Sequence, residues 1–307
     1  IKYSFKSTGS KHIIFSPGKE YLLIQNYEFS QQKEDYIITG YIFDKNFKQS
    51  TTITTTAPFD LPHGVFSIND NGIIAYFNPL NYSLKIFNGS SIDSMILEKD
   101  IPFEMERESF ICMNNEFVFI ASTLTPVSLE TPQENVLLFK VDLKSFTYEK
   151  KKIWLSALTY FNLVDDELVL SGVSFEDFLP AHMILKMDKT FSVLAENKTY
   201  AVEKLIKSGN SFVGSFSNYV YRFENDLALA DIGTLKNDER VINISENENG
   251  IILVIAKQGN IYLTRFRENF AFDFNLSSTI LNAKNFKRMI VDREVYIHTD
   301  QKTYIFK

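Results

Sequence analysis

Four histidines, His12, His63, His182 and His298, and one cysteine, Cys112, are the only imidazole and thiol groups in this 307-residue chain. Metal binding or imidazole catalysis needs several such groups, or a base beside an acid, brought to one place. His12 and His63 each stand shortly before an apolar run. Only a fold that gathers distant runs around a common axis would unite them. The plain alternative is an ordinary hydrogen-bonded histidine at a strand entrance. That reading is adopted, so neither a metal nor a cofactor is expected. A second constellation repeats: Ala57-Pro58-Phe59-Asp60 and Ile101-Pro102-Phe103-Glu104 spell apolar-Pro-Phe-acid twice, 44 residues apart. Phe59, Asp60, His63, Phe103, Glu104, Glu106 and Arg107 then form a charged group with aromatic anchors. The structural alternative has Pro end a strand and Phe plug the gap between adjacent sheets.

Other motifs that announce chemistry are missing. No Gly-x-Ser-x-Gly elbow, Gly-rich phosphate loop or EF-hand loop occurs, and Trp154, the single tryptophan, follows Ile153 outside any Asp-box context. Lys and Arg number 32 against 38 Asp and Glu, a net charge of −6, and the basic residues do not cluster. Nucleic acid is therefore not an expected partner. One cysteine excludes an internal disulfide. The longest purely apolar stretch, Ile251 to Ala256, is far too short for a membrane-spanning helix. Because the chain opens on Ile1, a preceding segment is expected to have been removed, and an export signal or a lipid anchor is the kind that would go with it.

The elements that must position these residues follow from composition and repetition. With 28 Phe, 15 Tyr, 12 Gly and 8 Pro, the chain is rich in residues that suit a pleated surface. Helical periodicity is weak; Ala201 to Ser208 is one candidate. A short polar turn followed by an apolar run occurs seven times, as in Asn69-Asp70-Asn71-Gly72 before Ile73-Ile74-Ala75-Tyr76. Successive copies are 51, 44, 51, 44, 39 and 44 residues apart. After each run another strand leads to a second polar turn, such as Asp142 or Asp188. Four short strands per period of about 45 residues is the pattern of β-propeller blades.

The expected fold is all-β: a single seven-bladed propeller over residues 1–307, with blades near 11–56, 63–100, 108–154, 157–197, 201–235, 240–279 and 283–307. The last copy supplies three strands, so residues 1–7 are expected to add the fourth and close the ring, hiding two sheet edges. Ile14-Phe15-Ser16-Pro17-Gly18-Lys19-Glu20-Tyr21-Leu22-Leu23-Ile24 resembles the first-to-second-strand turn of WD40-like and TolB-like repeats. The resemblance covers about a dozen residues and implies the superfold without a particular family; the Trp-Asp and Gly-His signatures of WD40 blades are absent.

In such a ring the loops between second and third strands share a face with those joining one blade to the next. The long ones, Ser30–Asp35, Leu124–Glu134 and Phe175–Pro180, contribute Leu129, Phe175 and Phe178 to the proposed rim. Insertions in repeat folds fall on the binding face. The leading expectation is a non-catalytic protein-interaction platform, a subunit of a larger complex, exported or at the cell envelope rather than cytoplasmic. The competing one is a secreted or periplasmic enzyme acting on a carbohydrate or small molecule at the channel mouth. Five Asn-x-Ser/Thr triplets, at Asn81, Asn88, Asn197, Asn243 and Asn275, are what an Asn-rich chain produces by chance.

Overall fold

A computed structural model describes the chain except residues 1–3, 7–9, 17–19, 31–34, 46–47, 59–64, 80, 90, 99–108, 124–135, 177–178, 248–249, 258–259, 267–271, 274–278, 283–285, 292–294, 300–301 and 307. From residue 258 onward the backbone alone is described. The elements are strands, beginning with β1 (Ser4–Lys6). A first sheet holds β2 (Ser10–Phe15), β3 (Tyr21–Ser30), β4 (Asp35–Asp44) and β5 (Gln49–Pro58). The second holds β6 (Val65–Ile68), β7 (Ile74–Asn78), β8 (Ser83–Asn88) and β9 (Ser91–Ile96). Next come β10 (Ser109–Met113), β11 (Phe117–Thr123), β12 (Val136–Asp142) and β13 (Tyr148–Ile153). A fourth sheet has β14 (Ala157–Val164), β15 (Glu167–Glu176), β16 (Leu179–Met187) and β17 (Val193–Asn197). The fifth has β18 (Lys204–Ser208), β19 (Ser211–Phe216), β20 (Tyr219–Glu224) and β21 (Leu229–Thr234). In the sixth, β22 (Glu239–Asn247), β23 (Gly250–Lys257), β24 (Asn260–Phe266) and β25 (Phe272–Asp273) are joined by β26 (Thr279–Asn282), which pairs β24. The last sheet takes β27 (Phe286–Val291), β28 (Val295–Thr299), β29 (Lys302–Phe306) and, from the other end of the chain, β1. β1 pairs β29 antiparallel, Ser4 opposite Tyr304 and Lys6 opposite Lys302.

By internal packing the chain divides into two compact units, Ser10–Met183 with Met187–Val193, and Leu194–Lys307 with Ile184–Lys186 and Ile1–Gly9. Within the first unit, alternate residues of one strand serve two cores. Ile74 and Tyr76 of β7 pack with Leu23, Ile38, Ile42 and Ile53 of the first sheet. Ala75 and Phe77, facing the other way, pack with Met113, Val118, Ile120 and Phe139 of the third. A strand covered on both faces cannot alternate apolar with polar, which is why the second strands read as unbroken apolar runs. In the second unit Val213 and Val220 pack with Val241, Ile244, Leu253 and Ile255 in the same manner. Burial falls toward the fourth strands: β7 is buried throughout, whereas β13 is exposed at every residue but Ile153.

The turns between third and fourth strands follow one design. Asp142, Asp188 and Glu224 each donate their backbone N–H to the carbonyl of Thr147, Ser192 or Ala228. Carboxylate oxygens tie the turns further: Asp142 Oδ1 accepts the amides of Lys144 and Ser145, and Asp188 Oδ1 accepts those of Thr190 and Ser192. The Ser145 amide holds the Asp142 carboxyl below its usual range, and the Thr190 hydroxyl does the same for Asp188. Each turn ends on an apolar residue in the left-handed region: Phe146 (φ 54°), Phe191 (φ 62°) and Leu227 (φ 66°). Such a backbone costs a bulky L-residue roughly 1 kcal/mol or more. Its use is visible at Phe191 and Leu227, which are 2% and 0% exposed. The Phe191 ring meets Phe119 of the preceding sheet edge-on, centroids 6.5 Å apart, and Lys151 Nζ donates to the Phe191 carbonyl at 2.7 Å. In the second unit Asn197 Nδ2 donates to the Leu227 carbonyl at 2.9 Å.

First-to-second-strand turns are tied by Asx geometry. Asn69 Oδ1 accepts the amides of Asn71 and Ile73, and Asn114 Oδ1 those of Glu116 and Phe117. Asn69 Nδ2 then donates across to the Asn114 carbonyl, 3.2 Å away in the next sheet. The polar turn residues therefore link sheets as well as reversing the chain. Two expectations need correction here. Residues 204–208 of the weak helix candidate form β18, pairing with β19 from Lys204 opposite Ser215 to Ser208 opposite Ser211. The expected Phe175–Pro180 loop shrinks to residues 177–178, because β15 runs through Phe175 to Glu176 and β16 begins at Leu179. Alternation of Val173 and Phe175 with Ser174 and Glu176 prolongs the hairpin arms.

Candidate functional site

In each four-stranded meander, first and third strands begin, and second and fourth strands end, at the same end of the sheet. In the first unit the connections at this end are unequal. Residues 97–108 join β9 to β10 and residues 124–135 join β11 to β12, twelve residues each; no connection at the opposite end of these sheets exceeds five. Residues 59–64 and 177–178 emerge at this end too.

Phe59, Asp60, His63, Phe103, Glu104, Glu106, Arg107, Leu129 and Phe178 lie outside the described residues. Phe175 is described as backbone within β15. Among the described residues, buried apolar residues follow four of the fourth strands: Leu97, Leu155 and Val202 are all 0% exposed, and Leu235 is 4%. Leu97 and Leu235 are anchored alike, their amides donating to the carbonyls of Tyr82 and Asn218 in the second-to-third-strand turns. Leu97 packs with residues of the second and third sheets, and Leu235 with residues of the fifth and sixth.

Two glycines make room for this packing. A Cβ on Gly172 would collide with the Ala157 carbonyl oxygen and sit 3.2 Å from Leu155 Cδ1. One on Gly214 would meet Val202 Cγ1 at 2.6 Å. Gly172→Ala is therefore expected to force the backbone of β14 away and destabilise the fold by about 1–3 kcal/mol, read as a lower denaturation midpoint with unchanged m-value. A variant as stable as the parent would show that β14 does not approach β15 this closely.

The polar lining of this end is made of hydroxyls. Ser109 Oγ and Ser122 Oγ are 2.7 Å apart, and Tyr82 OH, from the turn of the preceding sheet, lies 3.3 Å from Ser122 Oγ. Thr159 Oγ1 donates to Ser171 Oγ at 3.2 Å. Thr123 Oγ1, Ser156 Oγ and Ser174 Oγ are buried and make no hydrogen bond among the described residues. A hydroxyl becomes a nucleophile through an adjacent base, and no base bonds these three among the described residues. Neutral hydroxyls of this kind can take up water or the polar groups of a segment laid over them. Sequence reading missed this wall, since serine and threonine are too common along the chain to stand out.

Elsewhere, burial pushes the Cys112 thiol and the Tyr160 phenol well above their usual ranges, and the Tyr76 phenol up to about 12. None of the three is poised to ionise near neutrality. Among the described residues no group of three or more His, Cys, Asp or Glu is placed to hold a metal ion, and no helix is long and apolar enough to cross a membrane.

No family model matches the sequence, and no curated protein matches it. Solved structures do. The Neurospora crassa Pan2 WD40 domain superimposes with a TM-score of 0.60 over 97% of this chain and 88% of its own, at 13% identity. Saccharomyces cerevisiae Sqt1 gives 0.58 over 99% and 97%, at 9% identity. Pyrococcus horikoshii acylaminoacyl peptidase gives 0.58 at 11% identity over 96% of this chain and 51% of that one. The fold is a β-propeller. Identities this low carry the propeller architecture and no function. On a propeller the end bearing residues 97–108 and 124–135 is the one where blade-to-blade connections and second-to-third-strand loops lie together.

Proposed function

We propose that the seven sheets are the blades of one closed ring, and that the chain is a non-catalytic protein-interaction platform within a larger complex. Its working surface is the end carrying residues 59–64, 97–108, 124–135 and 177–178, with Phe59, Phe103, Leu129, Phe175 and Phe178 as apolar anchors. Asp60, His63, Glu104, Glu106 and Arg107 form the polar rim around them. The observation that carries this reading is the difference in connection length between the two ends of the first unit's sheets. Short turns suffice to reverse a chain, and length beyond that need falls, in repeat folds, on the recognition face. The likeness to WD40 domains across nearly the whole chain supports the same reading.

The test is capture of the native protein with its partners, followed by titration of variants against the purified partner. Phe175→Ser with Phe178→Ser is expected to weaken binding about 30-fold, the equivalent of roughly 2 kcal/mol for aromatic anchors. Replacing Glu104, Glu106 and Arg107 together by Ala should weaken it less, as rim charges do. If the charge variant instead abolishes turnover of a carbohydrate or other small molecule, the protein is an enzyme and the platform reading fails. If neither variant alters any interaction, the working surface lies elsewhere.

A further inference from the structure

Fourth strands are sheet edges, and an edge offers unpaired N–H and C=O groups to any strand that fits. Among the described residues β9 pairs β8 alone, with Ser91 opposite Asn88 and Ile96 opposite Ser83. All its residues but Met95 are exposed, Ile92 by 60% and Ile96 by 51%. The fourth strands differ in charge: β13 reads Tyr-Glu-Lys-Lys-Lys-Ile and carries four charged side chains in six residues, β17 and β21 carry one each, and β5 carries none. β9 reads Ser-Ile-Asp-Ser-Met-Ile and carries one.

The register decides what this edge can accept. β8 and β9 are joined by the two residues between Asn88 and Ser91, with Gly89 left-handed at φ 59°, and such a hairpin closes on a hydrogen-bonded pair. Antiparallel pairs alternate from there. Ser91, Asp93 and Met95 thus turn their backbone groups inward to β8, while Ile92, Ser94 and Ile96 turn theirs outward. These three also share one sheet face. The outward set is symmetric about Ser94: apolar, small polar, apolar.

We propose that β9 pairs antiparallel with β9 of a second copy of this chain, about a two-fold axis through Ser94, joining two four-stranded sheets into one of eight. In that register Ile92 faces Ile96 of the other copy twice, Ser94 faces Ser94, and each of the three pairs exchanges two backbone hydrogen bonds. The charge pattern selects a second copy over a charged peptide: the one charged residue, Asp93, falls opposite Met95 rather than opposite its own equivalent. Pairing of β13 with itself would bring lysines together, and like charges directly opposite disfavour a ladder. An isologous contact of this kind stops at the dimer. It is independent of the end carrying the long connections, so it neither needs nor excludes the platform reading.

Sedimentation velocity from low to several hundred micromolar tests it on the intact chain. The parent should pass from 35.5 kDa monomer to a species of twice that mass. Ser94→Lys and Ser94→Glu, exposed substitutions, should each melt like the parent and remain monomeric over that range. An equimolar mixture of the two should regain the dimer through Lys opposite Glu. A parent that stays monomeric at every concentration overturns the proposal. So does a dimer indifferent to both substitutions, and a mixture that fails to reassociate overturns the register through Ser94.

Discussion

Replacing Phe191 by Ala is expected to cost about 3–5 kcal/mol of folding stability, the range for deleting a buried aromatic ring. The Phe191→Gly variant should cost about 1 kcal/mol less than Phe191→Ala, reversing the usual order in which Gly is the worse residue. Both lose the ring that packs on Phe119 and both leave a cavity between two sheets. Only Ala keeps a Cβ at φ 62°, where the left-handed backbone burdens every L-residue and spares glycine. Phe146, with φ 54° but 38% exposed, supplies the control: its Ala variant should lose far less, because little burial is at stake. Urea denaturation of the four proteins measures the order. If Ala is better tolerated than Gly at position 191, the left-handed turn is not the native conformation there.

The contrast between Phe191 and its surroundings shows what was legible in the sequence. The apolar runs of the second strands stood out because those strands are covered on both sides. Ile73 to Tyr76 and Phe117 to Ile120 therefore announced β7 and β11, and the all-β class with them. The aspartates of the third-to-fourth-strand turns were readable as turn formers, since their carboxylates bond amides two to four residues on. Their aromatic partners were not. A Phe in the left-handed region runs against local preference and is held by tertiary burial, which no local pattern reports. Gly172 and Gly214 carry their meaning in the third dimension too, through Leu155 and Val202 from another part of the chain. The end of β15 lies one residue beyond Phe175, where the apolar-polar alternation of the strand continues to Glu176. Of the candidate site, the sequence singled out residues 124–134 as a long segment but not 97–108, and it gave 175–180 to a loop that spans two residues; the hydroxyl wall of Ser109, Ser122, Ser156 and Ser174 came only with the fold.

The platform reading depends on a rigid ring, and in the proposed ring the N-terminal strand supplies the closure. β1 adds Ser4, Phe5 and Lys6 to the edge of β29, opposite Tyr304, Thr303 and Lys302. Without it the last sheet keeps three strands, and β29 becomes an open edge at the place where the first and last blades are proposed to meet. The backbone hydrogen bonds of this short ladder contribute roughly 0.5–1.5 kcal/mol each, and the apolar area it covers adds to that. The decisive measurement is therefore the unfolding free energy of the chain lacking residues 1–8 beside that of the parent, with and without a synthetic peptide of residues 1–8. The account predicts a loss of several kcal/mol, on the order of 3 to 5, with part of it restored by the peptide in trans. A truncated chain that unfolds at the same denaturant concentration as the parent, and ignores the peptide, would contradict closure by the N-terminal strand.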